Sequence, residues 1–314
     1  MGISDARYEQ HLSECRTKLK NYRKFWPKFL FRHEPIENMV EILRSGQLLS
    51  RKMASEKGAI QTDIAPTTIL EHDQRSLCYT RLYFRPRTPT QFHIQGIKPA
   101  AEFYYGKNAG VLAMMLFDAE GLLKVNSTKF STGNLQSQES ELLDGDSNFD
   151  KLEFDAIFHD SPQQDPEITR KRCAEILVES PLILADHLKY IVLRTAADVK
   201  MFKICLRENG LDHYSPLVRK SSDASIFFNQ FTALDFIDTG PNIFRFKLKP
   251  AKSNPEVKVK FCVKKTSTDQ IVIDWEGNLK TNVTYTVKHA SANERCRVTI
   301  WLFDTLAHDS IFDL

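Results

Sequence analysis

The spacing of hydrophobic residues along the first half of the chain predicts helices and buried strands. Residues 29–33 are strand-like, and between Ile36 and Leu43 the hydrophobic residues fall at i, i+3, i+4 and i+7, which predicts one apolar helical face. Pro35 suits the first turn of this helix, and Gly46 suits its end. The continuous apolar run 111–117 predicts a strand that is buried on both sides.

The last third of the chain changes to strict alternation of hydrophobic and polar residues. The alternating segments are residues 243–248, 257–263, 271–275, 283–287 and 298–303. Turn residues separate them at positions 254–255, 276–278 and 291–293. Five or six short strands at hairpin spacing predict a small antiparallel sandwich, immunoglobulin-like, or a barrel.

Further elements complete this outline. Residues 82–84 and 188–193 are strand-like, residues 199–206 look helical, and residues 53–76 hold few apolar residues and predict a long loop. Turn-forming residues concentrate between positions 208 and 224. We therefore predict an α+β domain at residues 1–215 and an all-β accessory domain at residues 220–314.

Composition bounds the class of protein. Of the 314 residues, 42% are hydrophobic and 26% charged, which is ordinary for a globular protein. No apolar run approaches the roughly 20 residues that span a bilayer, and the N-terminus lacks a signal-peptide core, so we expect a cytoplasmic protein without membrane contact. The six cysteines show neither a CxxC pair nor metal-ligand spacing, so we expect reduced thiols and no metal.

Basic residues cluster although the net charge is only +3. The first cluster is Arg16, Lys18, Lys20, Arg23, Lys24 and Lys28, and the second is Arg245, Lys247, Lys249, Lys252, Lys258, Lys260, Lys264 and Lys265. Such clusters can follow a phosphate backbone. For the second cluster, a merely solvated face is an equally good interpretation.

Four segments carry residues suited to chemistry. His33 ends a predicted strand, and residues 79–89 (Tyr-Thr-Arg-Leu-Tyr-Phe-Arg-Pro-Arg-Thr-Pro) combine aromatic platforms with arginine forks for phosphate. Residues 130–134 (Phe-Ser-Thr-Gly-Asn) form a turn, and Phe-His-Asp follows at 158–160. In residues 171–178, Glu175 lies among apolar neighbours, where a carboxylate is costly unless it is used or paired. Each segment alone also has a purely structural interpretation; for Glu175 this is a salt bridge with Arg172.

Together and in this order, the four segments resemble the DarT family of nucleic-acid ADP-ribosyltransferases over roughly residues 28–208. The tract at 79–89 and the Arg-x-Ala-Glu-x-Leu-Val-like element around Glu175 are the specific signals. The resemblance implies the ADP-ribosyltransferase fold, a split mixed β core that holds NAD⁺ as co-substrate and needs no metal.

The resemblance also implies roles for residues. Glu175 would be the catalytic carboxylate, and the family's catalytic arginine would be Arg75 or Arg51. Contacts to NAD⁺ are expected from His33, Asn38, Gly46, Leu48, Arg51, Tyr83 and Arg87. Contacts to nucleic acid are expected from Arg81, Arg85, Asn134 and His159, with Tyr104, Tyr105 and Lys107 as further candidates. Asn134 stands where some members have His, and Thr132 where the family has Asp, so the modified base stays open.

Several functions follow as hypotheses. The first is a toxin that ADP-ribosylates a base of single-stranded DNA and is controlled by a cognate antitoxin, with phage defence as its setting. The second is the same chemistry on RNA, because nothing in the sequence identifies a 2′-hydroxyl contact. The third is an inactive module that binds NAD⁺ or nucleic acid. The fourth is an interaction protein whose activity lies in the β domain.

Overall fold

The computed structural model describes residues 2–65, 76–162, 165–222, 226–240, 242–251, 256–288 and 294–314. The helices up to residue 191 are α1 (Asp5–Lys18), α2 (Ile36–Ser45), α3 (Arg51–Glu56), α4 (Pro89–Ile94), α5 (Ala119–Leu123), α6 (Asp146–Phe149), α7 (Phe154–Ile157), α8 (Pro166–Lys171) and α9 (Leu184–His187). The strands over the same part are β1 (Phe29–Pro35), β2 (Gln47–Leu48), β3 (Thr80–Tyr83), β4 (Leu112–Asp118), β5 (Lys129–Ser131), β6 (Leu142–Leu143), β7 (Glu175–Val178), β8 (Leu182–Ile183) and β9 (Leu188–Leu193).

The rest of the chain is mostly strand. It contains α10 (Ala196–Glu208), β10 (Val218–Lys220), β11 (Ala233–Gly240), β12 (Ile243–Lys249), β13 (Glu256–Lys265), β14 (Ile271–Lys280), β15 (Thr284–Lys288), β16 (Arg295–Leu302) and β17 (Thr305–Asp313). Short 3₁₀ helices lie at Asn21–Lys28, Ser76–Cys78, Ala100–Glu102 and Asp212–Leu217.

The chain forms two compact units that are not consecutive in sequence. Unit 1 contains Met1–Phe92 and Met114–Ile191, and unit 2 contains His93–Ala113 and Val192–Leu314. The main sheet of unit 1 has the strand order β9-β4-β1-β3-β7-β5-β6. The first residues of β4 and the last residues of β9 belong to unit 2. The domain boundary inferred from the sequence stays a prediction.

The predicted elements of unit 1 form for the expected reasons. Helix α2 buries Met39, Val40 and Leu43 and ends at Gly46, whose φ of 66° is the left-handed conformation that glycine adopts without strain. Pro35 itself precedes the helix as its N-cap. Strand β4 is buried from Leu112 to Phe117, as its continuous apolar run predicts. Helix α3 was missed because the sequence there lacks an apolar face; part of the predicted loop, residues 66–75, lies outside the described residues.

Unit 2 contains an antiparallel sandwich. One sheet has the order β11-β12-β15 and the other β14-β13-β16-β17. The inward side chains of both sheets share one buried cluster, in which Phe246 of β12 meets Phe261 of β13 edge to face at 6.0 Å. Helix α10 begins at a capping box whose N-cap is Thr195, and it packs against β11 and β17. The five alternating segments thus correctly predict strands β12 to β16, whereas β11 and β17 were not predicted.

One predicted turn is wrong. Residues 276–278 read as Glu-Gly-Asn but lie inside β14, where each of them pairs with a residue of β13. A Cβ atom at Gly277 would lie 2.8 Å from the indole of Trp275, so the glycine makes room for that ring, which stacks on Phe261 at 5.1 Å. Glycine here serves packing, whereas the sequence pattern suggested a turn. The turns predicted at 254–255 and 291–293 lie outside the described residues.

No helix among the described residues is long and apolar enough to cross a membrane.

Candidate active site

Three neighbouring strands of unit 1 bring the central side chains together. Phe31 of β1 lies opposite Tyr83 of β3, and Tyr83 in turn lies opposite Glu175, the first residue of β7. Residues directly opposite each other in antiparallel strands project from the same face of the sheet, as do residues two apart in one strand. His33, Arg81, Tyr83 and Glu175 therefore share one face.

Glu175 is buried and paired. Only 2% of its surface is exposed, and its carboxylate accepts hydrogen bonds from Arg81 Nη2 at 2.5 Å and Nε at 3.0 Å. The other side of the Arg81 guanidinium donates to Ser76 Oγ at 3.0 Å. The backbone N–H of Glu175 donates to Ser131 Oγ at 2.9 Å. The carboxylate is thus oriented by the guanidinium, and its backbone is tied to the turn element at 130–134.

His33 and Tyr83 form a flat pair beside this carboxylate. Their rings are 5.6 Å apart and inclined by 4°. Burial, with a smaller contribution from Arg32, lowers the pKa of His33 from 6.5 to about 3. Burial, followed by the charge of Glu175, raises the pKa of Tyr83. At neutral pH both side chains are therefore uncharged, and each can donate and accept hydrogen bonds.

Asn38 holds a loop. Its amide oxygen accepts from the backbone N–H groups of Gln61 and Thr62 at 2.9 and 2.8 Å, and its amide nitrogen donates to Thr62 O at 2.9 Å. Arg51, on α3, forms two hydrogen bonds with Asp63 in the same loop, at 3.0 and 2.7 Å. Both predicted NAD⁺ contacts thus fasten the segment that follows α3.

Gly46 and Leu48 shape the neighbouring backbone. Gly46 ends α2, and its carbonyl accepts from Leu184 N–H at 3.0 Å. Leu48 is buried in β2 opposite Leu182, and its carbonyl accepts from the hydroxyl of Thr80 in β3 at 3.0 Å. Leu48 thus positions main chain next to β3, and Gly46 connects the end of α2 to the start of α9.

The two arginines that follow Tyr83 converge on one carboxylate. Arg85 is 1% exposed and donates to Asp160 Oδ1 at 2.9 Å, while Arg87 donates to Asp160 Oδ2 at 3.0 Å. Arg87 has a left-handed φ of 57°, which turns the chain after Pro86. Arg85 also donates to the carbonyl oxygens of residues 86, 157 and 159. Arg85, predicted to contact nucleic acid, is therefore fully engaged inside unit 1.

The remaining predicted residues lie in other places. His159 Nδ1 is 2.5 Å from Arg172 Nη2, and burial and then the Arg172 charge lower its pKa. Asn134 caps its own turn, with its side-chain oxygen accepting from Gln136 N–H at 3.2 Å. Tyr104 and Tyr105 lie in unit 2, where Tyr104 pairs with Lys107 across a hairpin turn. Arg75 lies outside the described residues.

From the sequence, Arg81 is expected to contact nucleic acid, and neither Ser131 nor Asp160 stands out as a site residue. The spacing of Arg81 and Tyr83, two apart in one strand, could have placed both on the face of Glu175. Arg172, considered from the sequence as the partner of Glu175, instead donates to Ser161 O at 2.5 Å. No signal in the sequence links Asp160 to the arginines 73 and 75 residues before it.

This arrangement suits the stabilisation of positive charge. A desolvated carboxylate attracts developing positive charge more strongly than it would in water. The uncharged His33 and Tyr83 offer hydrogen bonds and a flat surface for an aromatic or amide group. Among the described residues, His, Cys, Asp and Glu side chains form no group of three or more that could hold a metal ion.

Comparison with known proteins identifies one family. A family model described as "DarT: ssDNA thymidine ADP-ribosyltransferase, DarT" matches residues 31–227. No curated protein sequence matches this chain.

Solved structures share the fold. Thermus sp. 2.9 DarT in complex with ADP-ribosylated ssDNA is 19% identical, with a TM-score of 0.52, and the match covers 64% of this chain and 97% of that one. For the same protein in complex with NAD⁺ the values are 20%, 0.50, 63% and 96%. Thermosipho africanus DarTG in complex with ADP-ribose is 17% identical, with a TM-score of 0.51, and covers 68% of this chain and 53% of that one. The predicted fold, an ADP-ribosyltransferase core followed by antiparallel β sheets, is confirmed.

Proposed function

This chain belongs to the DarT family of ssDNA thymidine ADP-ribosyltransferases, and from that premise we propose that it transfers ADP-ribose from NAD⁺ to a thymine base of single-stranded DNA. The observation that carries the proposal is the buried carboxylate of Glu175, which is held by Arg81 and lies opposite Tyr83 on the face that also carries His33. The DNA hypothesis from the sequence thus becomes more specific, with thymine as the base.

Glu175 stabilises the reacting sugar. When the bond between C1′ of the ribose and nicotinamide breaks, the bonding electrons leave with nicotinamide and positive charge develops at C1′. A carboxylate that is already desolvated and oriented stabilises this charge without reorganisation. Arg81 keeps the carboxylate in one orientation through its two hydrogen bonds.

The acceptor chemistry follows from thymine itself. Its ring has one N–H group, at N3, because N1 carries the deoxyribose. A bond from N3 to C1′ therefore requires that N3 lose its proton to a base, and Glu175 is the acidic side chain on this face that we assign to that step. In a duplex N3 is hidden in the base pair, so the acceptor strand has to be unpaired at that position.

Several residues bind the co-substrate in this proposal. His33 donates to a ribose hydroxyl, and Tyr83 contacts the nicotinamide ring. Arg51 and Arg87 are the candidates for the pyrophosphate, although each is now paired with an aspartate that it would have to share or release. Asn38, Gly46 and Leu48 act through the backbone that they hold.

Contacts to the strand are also part of the proposal. Asn134 and His159 remain candidates for reading the base, while Arg81 moves to the catalytic group and Arg85 to the structural framework. Because an enzyme that modifies thymine in DNA harms its own cell, we also infer a cognate antitoxin as partner, as expected for this family of toxins.

The test is a transfer assay with purified full-length protein and labelled NAD⁺. Four acceptors of one sequence are compared: single-stranded DNA, the same strand with every thymidine replaced by deoxycytidine, its duplex, and single-stranded RNA. We expect label on the first strand alone. Glu175→Gln should lower the rate by about 10²–10³-fold, because it removes the charge from the site.

Glu179→Gln is the matched control, since Glu179 is an exposed glutamate just past the end of β7. It should transfer ADP-ribose at the wild-type rate. Equal labelling of the thymidine-free strand would contradict the choice of base, and label on RNA alone would favour the RNA hypothesis. Wild-type transfer by Glu175→Gln would remove Glu175 from the mechanism.

A further inference from the structure

A basic, aromatic segment of unit 1 precedes the region that the family model matches. This segment, residues 20–28, reads Lys-Asn-Tyr-Arg-Lys-Phe-Trp-Pro-Lys and is 3₁₀-helical from Asn21 to Lys28; we call it the basic aromatic turn. Phe25 is 61% exposed. The Glu175 site as described makes no use of this segment.

The lysines of the basic aromatic turn are exposed. Lys20, Lys24 and Lys28 surround Phe25 in the sequence and form no ion pair with the described residues. Lys18, just before them, differs because it pairs with Asp155 at 3.0 Å. The turn therefore presents three uncompensated charges around one exposed ring.

The inner side of the turn is anchored firmly. Trp26 is 2% exposed, and the Arg85 guanidinium lies 4.8 Å above its ring. The hydroxyl of Tyr22 donates to Asp160 at 2.6 Å, and Arg23 donates to the carbonyl of Phe158 at 3.1 Å. The exposed side chains thus extend from a backbone that these buried contacts hold in place, which reduces the entropy lost when they bind a ligand.

The residues that hold the basic aromatic turn also contact the strands that carry Tyr83 and Glu175. Arg85 follows Tyr83 by two residues, and Tyr83 lies opposite Glu175 in the sheet. Asp160, which Tyr22 contacts, also binds Arg85 and Arg87. A strand held at the turn is therefore held by the framework that positions the carboxylate.

We propose that the basic aromatic turn binds the acceptor strand beside the modified nucleotide, with one base stacked on Phe25 and neighbouring phosphates at Lys20, Lys24 and Lys28. The inference rests on the proposed function, since it concerns the same acceptor. An exposed ring among unpaired cations is the arrangement that holds single strands without reading their sequence: every base has a face that can stack, and every linkage carries a negative charge.

A membrane surface is the competing partner for such a segment, because exposed aromatic rings and lysines also bind anionic headgroups. Within the turn, Phe25 alone provides a large exposed apolar surface, whereas interfacial helices insert a whole apolar face. The connection to the catalytic strands also favours the acceptor. The test therefore includes vesicles as a second probe.

Binding is measured in the full-length Glu175→Gln protein, so that the probe is not consumed. The probes are a fluorescent thymidine-containing single strand, its duplex, and vesicles containing phosphatidylserine. Phe25→Ala should weaken single-strand affinity about tenfold and leave duplex affinity unchanged, as expected for the loss of one stacked base. The double variant Lys24→Ala/Lys28→Ala should lower the slope of log affinity against log salt by about 1.4, which corresponds to two phosphate contacts of about 0.7 each.

Matched controls come from the same unit. Val125→Ala removes an apolar side chain that is 40% exposed, and Lys151→Ala removes an exposed lysine. Both should bind all three probes as the parent does. Melting temperatures of all variants show whether any loss comes from unfolding.

Transfer by the active protein separates the two proposals. If wild-type protein labels single-stranded DNA but Phe25→Ala and the double-lysine variant bind and react as wild type, the basic aromatic turn has no role in acceptor binding and this inference alone is overturned. The same holds if the variants lose affinity for vesicles and retain it for the strand. If wild-type protein labels no nucleic acid, the proposed function fails first.

Discussion

Arg81 shows that the role expected of a side chain can change once its surroundings are known. In the sequence it is one of three arginines in an aromatic tract, and a phosphate contact is the natural expectation. In the structure it forms two hydrogen bonds with Glu175 and one with Ser76. Both hydrogen bonds to Glu175 reach Oε2, so the planar guanidinium fixes the position of that oxygen with two donors in a rigid fork, which a lysine ammonium cannot offer.

We expect Arg81→Met to lower kcat by about 10²-fold, because Glu175 loses the group that orients it. Arg81→Lys should recover only part of this loss, since it restores the charge without the fork. The KM for the DNA strand should change little, which distinguishes orientation of the carboxylate from a contact with DNA. A raised KM at unchanged kcat would instead indicate that Arg81 contacts the DNA strand. The control is Arg44→Met, which removes an exposed ion pair with Glu41.

At the scale of elements, the tract after β3 is a buried electrostatic junction. Arg85 and Arg87 lie on either side of Pro86, and both bind Asp160, which is 9% exposed. Burial lowers the pKa of Arg85 from 12.5 to about 9, and the charge of Asp160 opposes this shift. The junction links β3 to the segment after α7, and through Trp26 to the 3₁₀ helix before β1.

Asp160→Ala should lower the free energy of unfolding by about 3–5 kcal/mol, because two guanidinium groups lose their counter-charge in a site that water barely reaches. Urea denaturation measures the change. Asp155→Ala, which breaks an exposed pair with Lys18, should leave the unfolding midpoint almost unchanged. Equal stability of the two variants would mean that the junction contributes no more than a surface ion pair.

At the scale of the whole molecule, the second basic cluster of the sequence, residues 245–265, is spread over two faces of the sandwich. The inward residues of β12 and β13, such as Phe246 and Val259, share one core, so the basic residues that alternate with them point away on opposite outer faces of the sandwich. Acidic partners accompany several of them; Lys258, for example, lies 3.1 Å from Glu276. The cluster is therefore not one surface, and the solvated-face interpretation fits unit 2 better than a phosphate track.

The core of unit 2 contains an uncharged histidine. His308 is buried, and neither ring nitrogen has a hydrogen-bond partner among the described residues. Burial, with the charge of Lys200, lowers its pKa from 6.5 to about 3. Below pH 6.5 the unfolded chain therefore takes up a proton that the folded chain refuses, and stability falls as the pH drops towards 3.

His308→Leu should remove this contribution, so that its stability decreases less than that of wild type between pH 7.5 and pH 5. At pH 7.5 the variant should be at least as stable, because an apolar side chain replaces two unpartnered polar atoms. Chemical denaturation at the two pH values measures the difference. Comparing the variant with wild type cancels the contributions of His11 and His33, two other buried histidines whose pKa is lowered by burial. Parallel pH profiles would show that His308 is protonated in the folded state or reached by water.

The sequence alone determined the local elements and the family. Hydrophobic periodicity depends on neighbouring residues, so it predicts α2, β4 and five strands of the sandwich. The order of short motifs indicates the ADP-ribosyltransferase core and predicts Glu175 as its catalytic carboxylate. Only the tertiary structure decided which charges meet. Arg81 and Glu175 are 94 residues apart, and Arg85 and Asp160 are 75. A guanidinium can bind a carboxylate, a phosphate or water, and the sequence does not show which of them it meets. Folding selects the partner by bringing one of them close and removing the water.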